Sequence, residues 1–204
     1  MRILFVHQNF PAQFVHLAPA LMQRGHDVRA LTFAGNKRPT SVQLTRYEGQ
    51  PRDDTGRLGA LISQFAVPSL RGEEVAKKAE EMRRGGYTPD FIFGHLGWGE
   101  TLYLKEVWPI ARLALYAEFF YHTDGLDCGF DTAIYPQSLE SRLRVTAKQA
   151  SPMLAMLNAD KALAPTRWQA DSFPDWFRPR ITVNHDGIDT DTLKPDSAAI
   201  ISLA

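Results

Sequence analysis

The segment Pro89-Asp90-Phe91-Ile92-Phe93-Gly94-His95-Leu96-Gly97-Trp98-Gly99-Glu100 sets an imidazole at the end of a short apolar run and follows it with a glycine-spaced loop. An imidazole titrates near neutrality and both donates and accepts hydrogen bonds, so His95 suits proton handling or ligand contact. Gly94, Gly97 and Gly99 leave room for a substrate to approach the backbone. A histidine that only ties down a neighbouring loop fits the same pattern, and the flanking glycines favour the ligand-facing alternative. A second group lies at Tyr116 to Asp124, where Glu118, His122 and Asp124 stand among Tyr116, Phe119, Phe120 and Tyr121. Aromatic walls with a few carboxylates suit the apolar faces and dense hydroxyls of carbohydrates, and Glu118 is the best candidate in this wall. Glu118-x-x-x-His122 has the spacing of a metal pair on a helix, but two ligands without a third nearby make a poor site. No metal is expected.

Other chemistries are excluded by what their loops require. Dinucleotide binding needs Gly-x-Gly-x-x-Gly at the first strand–helix turn. That turn reads His7-Gln8-Asn9-Phe10-Pro11-Ala12 and contains no glycine. There is no Gly-Lys-Ser/Thr of a phosphate loop, and no serine sits in a nucleophile elbow. Asp189-Thr190-Asp191 reads as a solvated turn. Lys plus Arg and Asp plus Glu number 23 each, so no overall field draws the chain to nucleic acid. The lone Cys128 rules out an internal disulfide and fits a reducing compartment. The amino terminus is too short in apolar residues for a signal peptide, and no apolar stretch reaches a membrane span. A soluble, cytoplasmic protein is expected. Arg83-Arg84 and Arg178/Arg180 are the basic groups that would serve peripheral contact with the inner face of a membrane, against the ordinary alternative of solvated faces.

The elements that position these residues alternate between strand and helix. Ile3–Val6 is a continuous apolar run, as in a strand buried on both faces. Ala12–Arg24 has helical spacing, with Pro19 predicting a kink or a later start, and Gly25 ends it. Val28–Phe33 and the weaker Val42–Tyr47 read as strands, and Glu48–Arg57 as a surface loop. Leu58–Val67 is ambiguous between helix and strand, and Ser69–Arg84 is a charged helix. Phe91–His95 is the central strand, with a helix over Thr101–Val107. Leu113–Tyr116 continues the sheet and Thr123–Pro136 is loop. Ser138–Asn158 is helical but divided near Pro152. Lys161–Ala164, a helix from Pro165-Thr166 through Phe173, and Ile181–Val183 complete the series. Such alternation predicts an α/β fold, a Rossmann-like doubly wound parallel sheet with helices on both faces. Ligands then sit outside the carboxyl ends of the strands, where His95 falls.

As a set, several of these motifs resemble the amino-terminal half of family 4 glycosyltransferases: His7-Gln8-Asn9-Phe10-Pro11, Arg24-Gly25-His26-Asp27-Val28, Pro89 to His95, Ala159 to Gln169, and His185-Asp186-Gly187-Ile188-Asp189. The resemblance implies one half of a GT-B enzyme, in which two Rossmann-like domains face each other across a cleft. It places an acceptor-side domain at 1–189 and the start of an interdomain linker at 190–204. It further implies sugar transfer with retention of configuration and without a metal. A nucleotide-sugar donor would act as co-substrate rather than as a tightly bound cofactor, and the partners would be a sugar or glycan acceptor, lipid-linked or polysaccharide, and a carboxyl-terminal donor-binding domain not contained in this chain. The family histidine falls on His95, in contact with acceptor or transferred sugar. The family's usual glycine pair in the first loop is replaced by Phe10-Pro11-Ala12-Gln13, so Asn9 and Gln13 become the side chains available near a donor diphosphate. Gly97, Trp98, Glu118 and His122 complete the expected substrate-binding set. Glu73 and Glu81 match the family's Glu-x7-Glu spacing by accident, on a charged surface helix. The alternatives are a nucleotide-sugar epimerase of the same architecture and a non-catalytic carbohydrate- or partner-binding module.

Overall fold

The structure, a computed structural model, describes residues 1–49 and 59–200. Seven strands form one parallel sheet: β1 (Arg2–Val6), β2 (Asp27–Phe33), β3 (Gln43–Tyr47), β4 (Phe91–His95), β5 (Arg112–Tyr116), β6 (Lys161–Ala164) and β7 (Ile181–Val183). Their order is β3-β2-β1-β4-β5-β6-β7. The chain therefore winds outward from β1 in one direction, then returns across it and winds outward in the other. The reversal falls between β1 and β4, whose outgoing connections leave toward opposite faces and so open a crevice outside their carboxyl ends. The register pairs Val6 with Gly94, which sets the next residues, His7 and His95, beside each other at its mouth.

The period-two alternation of side chains divides the core by face. Leu4, Val6, Ile92, Leu113 and Leu115 pack with Val75, Leu104 and Met156 on one side. Ile3, Phe5, Phe93, Ala114 and Tyr116 pack with Phe14 and Ala18 on the other. The first side is covered by α2 (Gly59–Arg84), α3 (Leu104–Val107) and α5 (Ala150–Asn158); the second carries α1 (Leu17–Gln23) and the 3-10 turn Ala12–Phe14. Right-handed crossovers dictate this inequality, because every connection running from β3 through β7 lies on one face. Helices do occupy both faces, unequally. The thinly covered face retains an apolar hollow of about 450 Å³ lined by Ile3, Phe5, Leu21, Phe93, Ala114 and Leu163.

The prolines explain where several elements depart from the sequence reading. The first helix begins at Leu17, not Ala12. Pro19 thus falls in its first turn, where a missing N–H costs no hydrogen bond. Pro152 likewise sits in the first turn of α5, and α4 (Leu139–Lys148) ends just before it. Ser138 caps α4 by accepting from the Ser141 amide at 3.1 Å. The ambiguous segment and the charged helix are one continuous helix, α2, which accommodates Pro68 in its interior. The helix expected over Thr101–Val107 shrinks to the single turn of α3. The helix expected through Phe173 is α6 (Arg167–Asp171), capped by Thr166. Most of the surface loop read at Glu48–Arg57 lies outside the described residues.

The loop after β4 is held by contact with α2 that only glycine permits. Gly99 has φ +97°, and a Cβ there would lie 2.1 Å from the carbonyl oxygen of Pro68. Replacing Gly99 by alanine must therefore move the loop or the helix, with an expected loss of about 3 kcal/mol or more. Gly86→Ala is the control: its φ is +87° but its Cβ would meet open space, so only the conformational penalty of about 1 kcal/mol applies. Urea unfolding of the two variants measures the difference. Equal midpoints would show that the Gly99–Pro68 approach is not obligatory.

Candidate functional site

His95, the last residue of β4, is buried at 3% exposure. Its surroundings are polar and aromatic. Nδ1 accepts the Gly97 amide N–H at 3.0 Å, which leaves the ring proton on Nε2, and Nε2 lies 3.0 Å from Oε2 of Glu118. Both nitrogens are therefore engaged, and the ring is held as a neutral donor to a carboxylate. Trp98 and Tyr116 flank it with centroids at 5.8 and 5.7 Å. A hollow of about 60 Å³ opens beside it, bordered by Gly97, Trp98, Glu118, Phe119, Tyr121 and Lys148. The hydrogen bond from His95 is the main influence holding the Glu118 carboxyl below its ordinary pKa. Glu118 is half exposed, so it is the charged group of this pair that meets solvent or a ligand.

His7, one residue past β1, repeats the arrangement. Its Nδ1 accepts the Asn9 amide at 2.9 Å, and its ring stands edge-on to His95 at 5.3 Å. Burial above all pulls its pKa down to about 3. It is an uncharged imidazole throughout the physiological range. The loop that carries it is anchored from behind by Glu100, which is fully buried. Oε1 of Glu100 accepts from the Gln8 amide at 3.1 Å and from the Tyr47 hydroxyl at 3.2 Å. Burial pushes the Glu100 carboxyl up in pKa, as expected where no cation pairs with it directly.

The expected site residues divide accordingly. His95, Gly97, Trp98 and Glu118 are brought together around one hollow. Gln13 lies on the other side of Phe14 and Tyr116, lining a separate hollow of about 260 Å³ with Asn184, His185 and Asp186. Its Oε1 is buried without a hydrogen-bond partner among the described residues. In the same wall the Tyr116 hydroxyl donates to both carboxylate oxygens of Asp186 at 2.8 Å. Asn9 is exposed and contributes its backbone to His7. His122 falls outside the site. Its Nε2 contacts the Ser172 carbonyl at 2.5 Å and its ring packs on Phe120, because after β5 the chain leaves the sheet and turns toward α6. His7, Tyr116 and Glu100 were missed. For His7 a local signal existed, since His7-x-Asn9 and His95-x-Gly97 share the form of a strand-end histidine whose ring takes the amide two residues on.

Among the described residues no three His, Cys, Asp or Glu side chains converge as a metal site would need. Asp189 is occupied by its own turn, accepting from Asp191 and Thr192. The arginines considered for a membrane surface are engaged elsewhere: Arg83 and Arg84 with Glu80, Arg178 with Asp175, and Arg180 with the Ala159 carbonyl. No described helix is long and apolar enough to cross a membrane.

The fold and crevice define a Rossmann-like α/β domain with an imidazole–carboxylate pair at its topological switch point. The chain belongs to the Glycosyl transferase family 4 group, whose sequence profile matches residues 24–193. In fold it is similar to the catalytic domain of starch synthase IV from Arabidopsis thaliana bound to ADP and acarbose, with a TM-score of 0.55 and 14% identity over 94% of this chain and 52% of that one. It is also similar to Phytolacca americana UGT2 complexed with UDP-2fluoro-glucose and pterostilbene, with a TM-score of 0.53 and 12% identity over 93% of this chain and 55% of that one. The chain thus spans about half the length of each of these two structures. No curated protein matches the sequence.

Proposed function

We propose that this chain is the acceptor-side half of a retaining, metal-independent glycosyltransferase, and that a nucleotide-sugar donor is held by a second domain. The observation that carries the reading is the His95–Glu118 pair, set beside a hollow at the switch point of a family 4 member. Glu118 uses Oε2 on His95, and Oε1 has no hydrogen-bond partner among the described residues. That oxygen is placed to accept from an acceptor hydroxyl and so to fix which hydroxyl attacks. His95 holds the carboxylate in position. It has no free lone pair for a proton, since Gly97 occupies Nδ1. Retaining transfer is compatible with this arrangement, because the departing phosphate itself can take the acceptor proton. Neutral His7 beside the pair keeps a second positive charge out of a site where the transferred sugar becomes cationic.

Product analysis with a labelled nucleotide sugar tests the reading. The two-domain enzyme is expected to yield a new glycoside. An epimerised nucleotide sugar would mean an epimerase of the same architecture, and an unchanged donor in the presence of bound carbohydrate would mean a binding module. This chain alone is expected to give neither glycoside nor donor hydrolysis, and robust turnover by it would contradict the division of labour proposed.

A further inference from the structure

A larger hollow, of about 340 Å³, lies between α2, the Gly97–Trp98 loop and the start of α5. It adjoins the hollow at His95, for Gly97, Trp98, Phe119, Tyr121 and Lys148 border both. Its charged side chains are both cations, Arg71 and Lys148, beside the neutral Ser63, Gln64 and Ser151. Arg71 donates one N–H to the Trp98 carbonyl at 2.7 Å, and its remaining donors have no acceptor among the described residues. Lys148 stands over the Tyr121 ring, 3.3 Å from its centroid. Among the described residues neither cation forms an ion pair and no Asp or Glu lines this hollow. Asp127, which is not in the wall, is the carboxylate that acts on Lys148.

Ser151 supplies the second, independent observation. It is 1% exposed, it forms part of the wall, and its hydroxyl has no hydrogen-bond partner among the described residues. A buried polar group left unpaired is costly and marks a place where a partner is wanted. Ser151 also lies in the first turn of α5.

We propose that this hollow receives an anionic substituent of the acceptor, a phosphate or carboxylate borne on its sugar, with Lys148 and Arg71 meeting the charge and Ser151 donating a hydrogen bond. Trp98 offers its ring to the sugar itself, leaving its hydroxyl to Glu118 in the adjoining hollow. The proposal rests on the acceptor-side reading above and narrows it to acidic acceptors. The volume suits a small-molecule subsite. Burial already pulls the Lys148 pKa down, so an incoming anion restores a counter-charge that this cation lacks.

Calorimetric titration of the chain with glucose phosphate, glucuronate, inorganic phosphate and glucose tests this without any turnover. At least one of the two sugar anions is expected to bind about 10-fold more tightly than glucose, with the preference weakening as salt is added. Preference for glucose phosphate identifies a phosphoryl group, and preference for glucuronate a carboxylate. Lys148→Met is expected to abolish the preference and Lys148→Arg to keep it, with thermal midpoints unchanged because the Lys148 side chain lies at the surface end of α4. Ser151→Ala should weaken the anion but not glucose. Equal binding of glucose and the sugar anions, no anion binding at millimolar concentration, or a preference indifferent to Lys148→Met and Arg71→Ala would each overturn the proposal. Because transfer is not measured, failure here leaves the role of His95 and Glu118 standing. Failure of the transferase reading, seen in product analysis, leaves an observed anion site standing.

Discussion

Glu118→Ala and His95→Ala are each expected to lower sugar transfer by the two-domain enzyme about 100-fold or more, with the fold retained. Glu118 is half exposed and supports no core packing, so its removal leaves the sheet intact. His95 is buried, and its loss leaves a small polar gap at the sheet rim worth about 1–3 kcal/mol of stability. The two losses should not add. If His95 acts only by holding Glu118, the double variant falls about as far as either single one, as groups that work as a unit do. Losses that multiply would give His95 an independent role. Near-normal transfer in Glu118→Ala would remove the pair from the site.

Acidification is expected to destabilise the chain through His7 well before the carboxylates are neutralised. In the folded protein burial holds this imidazole uncharged down to about pH 3, whereas the unfolded chain takes up the proton near pH 6.5. Between those values the unfolded state binds more protons, so stability is complete above the unfolded value and falls as pH drops. The slope is about 1.4 kcal/mol per pH unit, for a total of about 5 kcal/mol across the window. Glu100 acts in the opposite sense. Its folded pKa is raised, so the folded state takes its proton first and is favoured by acid from that raised value down to the ordinary 4.5. The Glu118 contribution, from a lowered pKa, is lost only below 4.5. The diagnostic is therefore the difference between the parent chain and His7→Gln, which keeps an acceptor for the Asn9 amide but cannot titrate there. Urea midpoints across this range should fall more steeply for the parent. Parallel curves would show that His7 is solvated or already charged in the folded state.

Much of the scaffold was legible because it is written locally. Phe91–Gly94 and Ile3–Val6 are apolar runs with polar ends, and the position of His95 follows from where its run stops. What joins across the sheet was not. That His7 meets His95 depends on the register pairing Val6 with Gly94, two residues far apart in sequence whose pairing no local pattern records. The approach of Lys148 and Ser151 to Trp98 depends likewise on how α4 and α5 pack against α2. His122 looked equivalent to Glu118 because both stand in the short aromatic segment Tyr116 to Asp124. The chain there follows no helix, and the two side chains part. Pro68 concealed the continuity of α2, since a proline in a helix interior removes a backbone hydrogen bond and ordinarily marks a break.

The most direct test of the central claim is the imidazole nitrogen NMR spectrum of His95 at neutral pH, recorded with and without an acceptor that the enzyme glycosylates. The account predicts a bare Nδ1 and a protonated Nε2, whose signal shifts when Glu118 is replaced by glutamine and shifts again as the acceptor binds. A ring protonated on Nδ1, or one that no glycosylated acceptor perturbs, would contradict it.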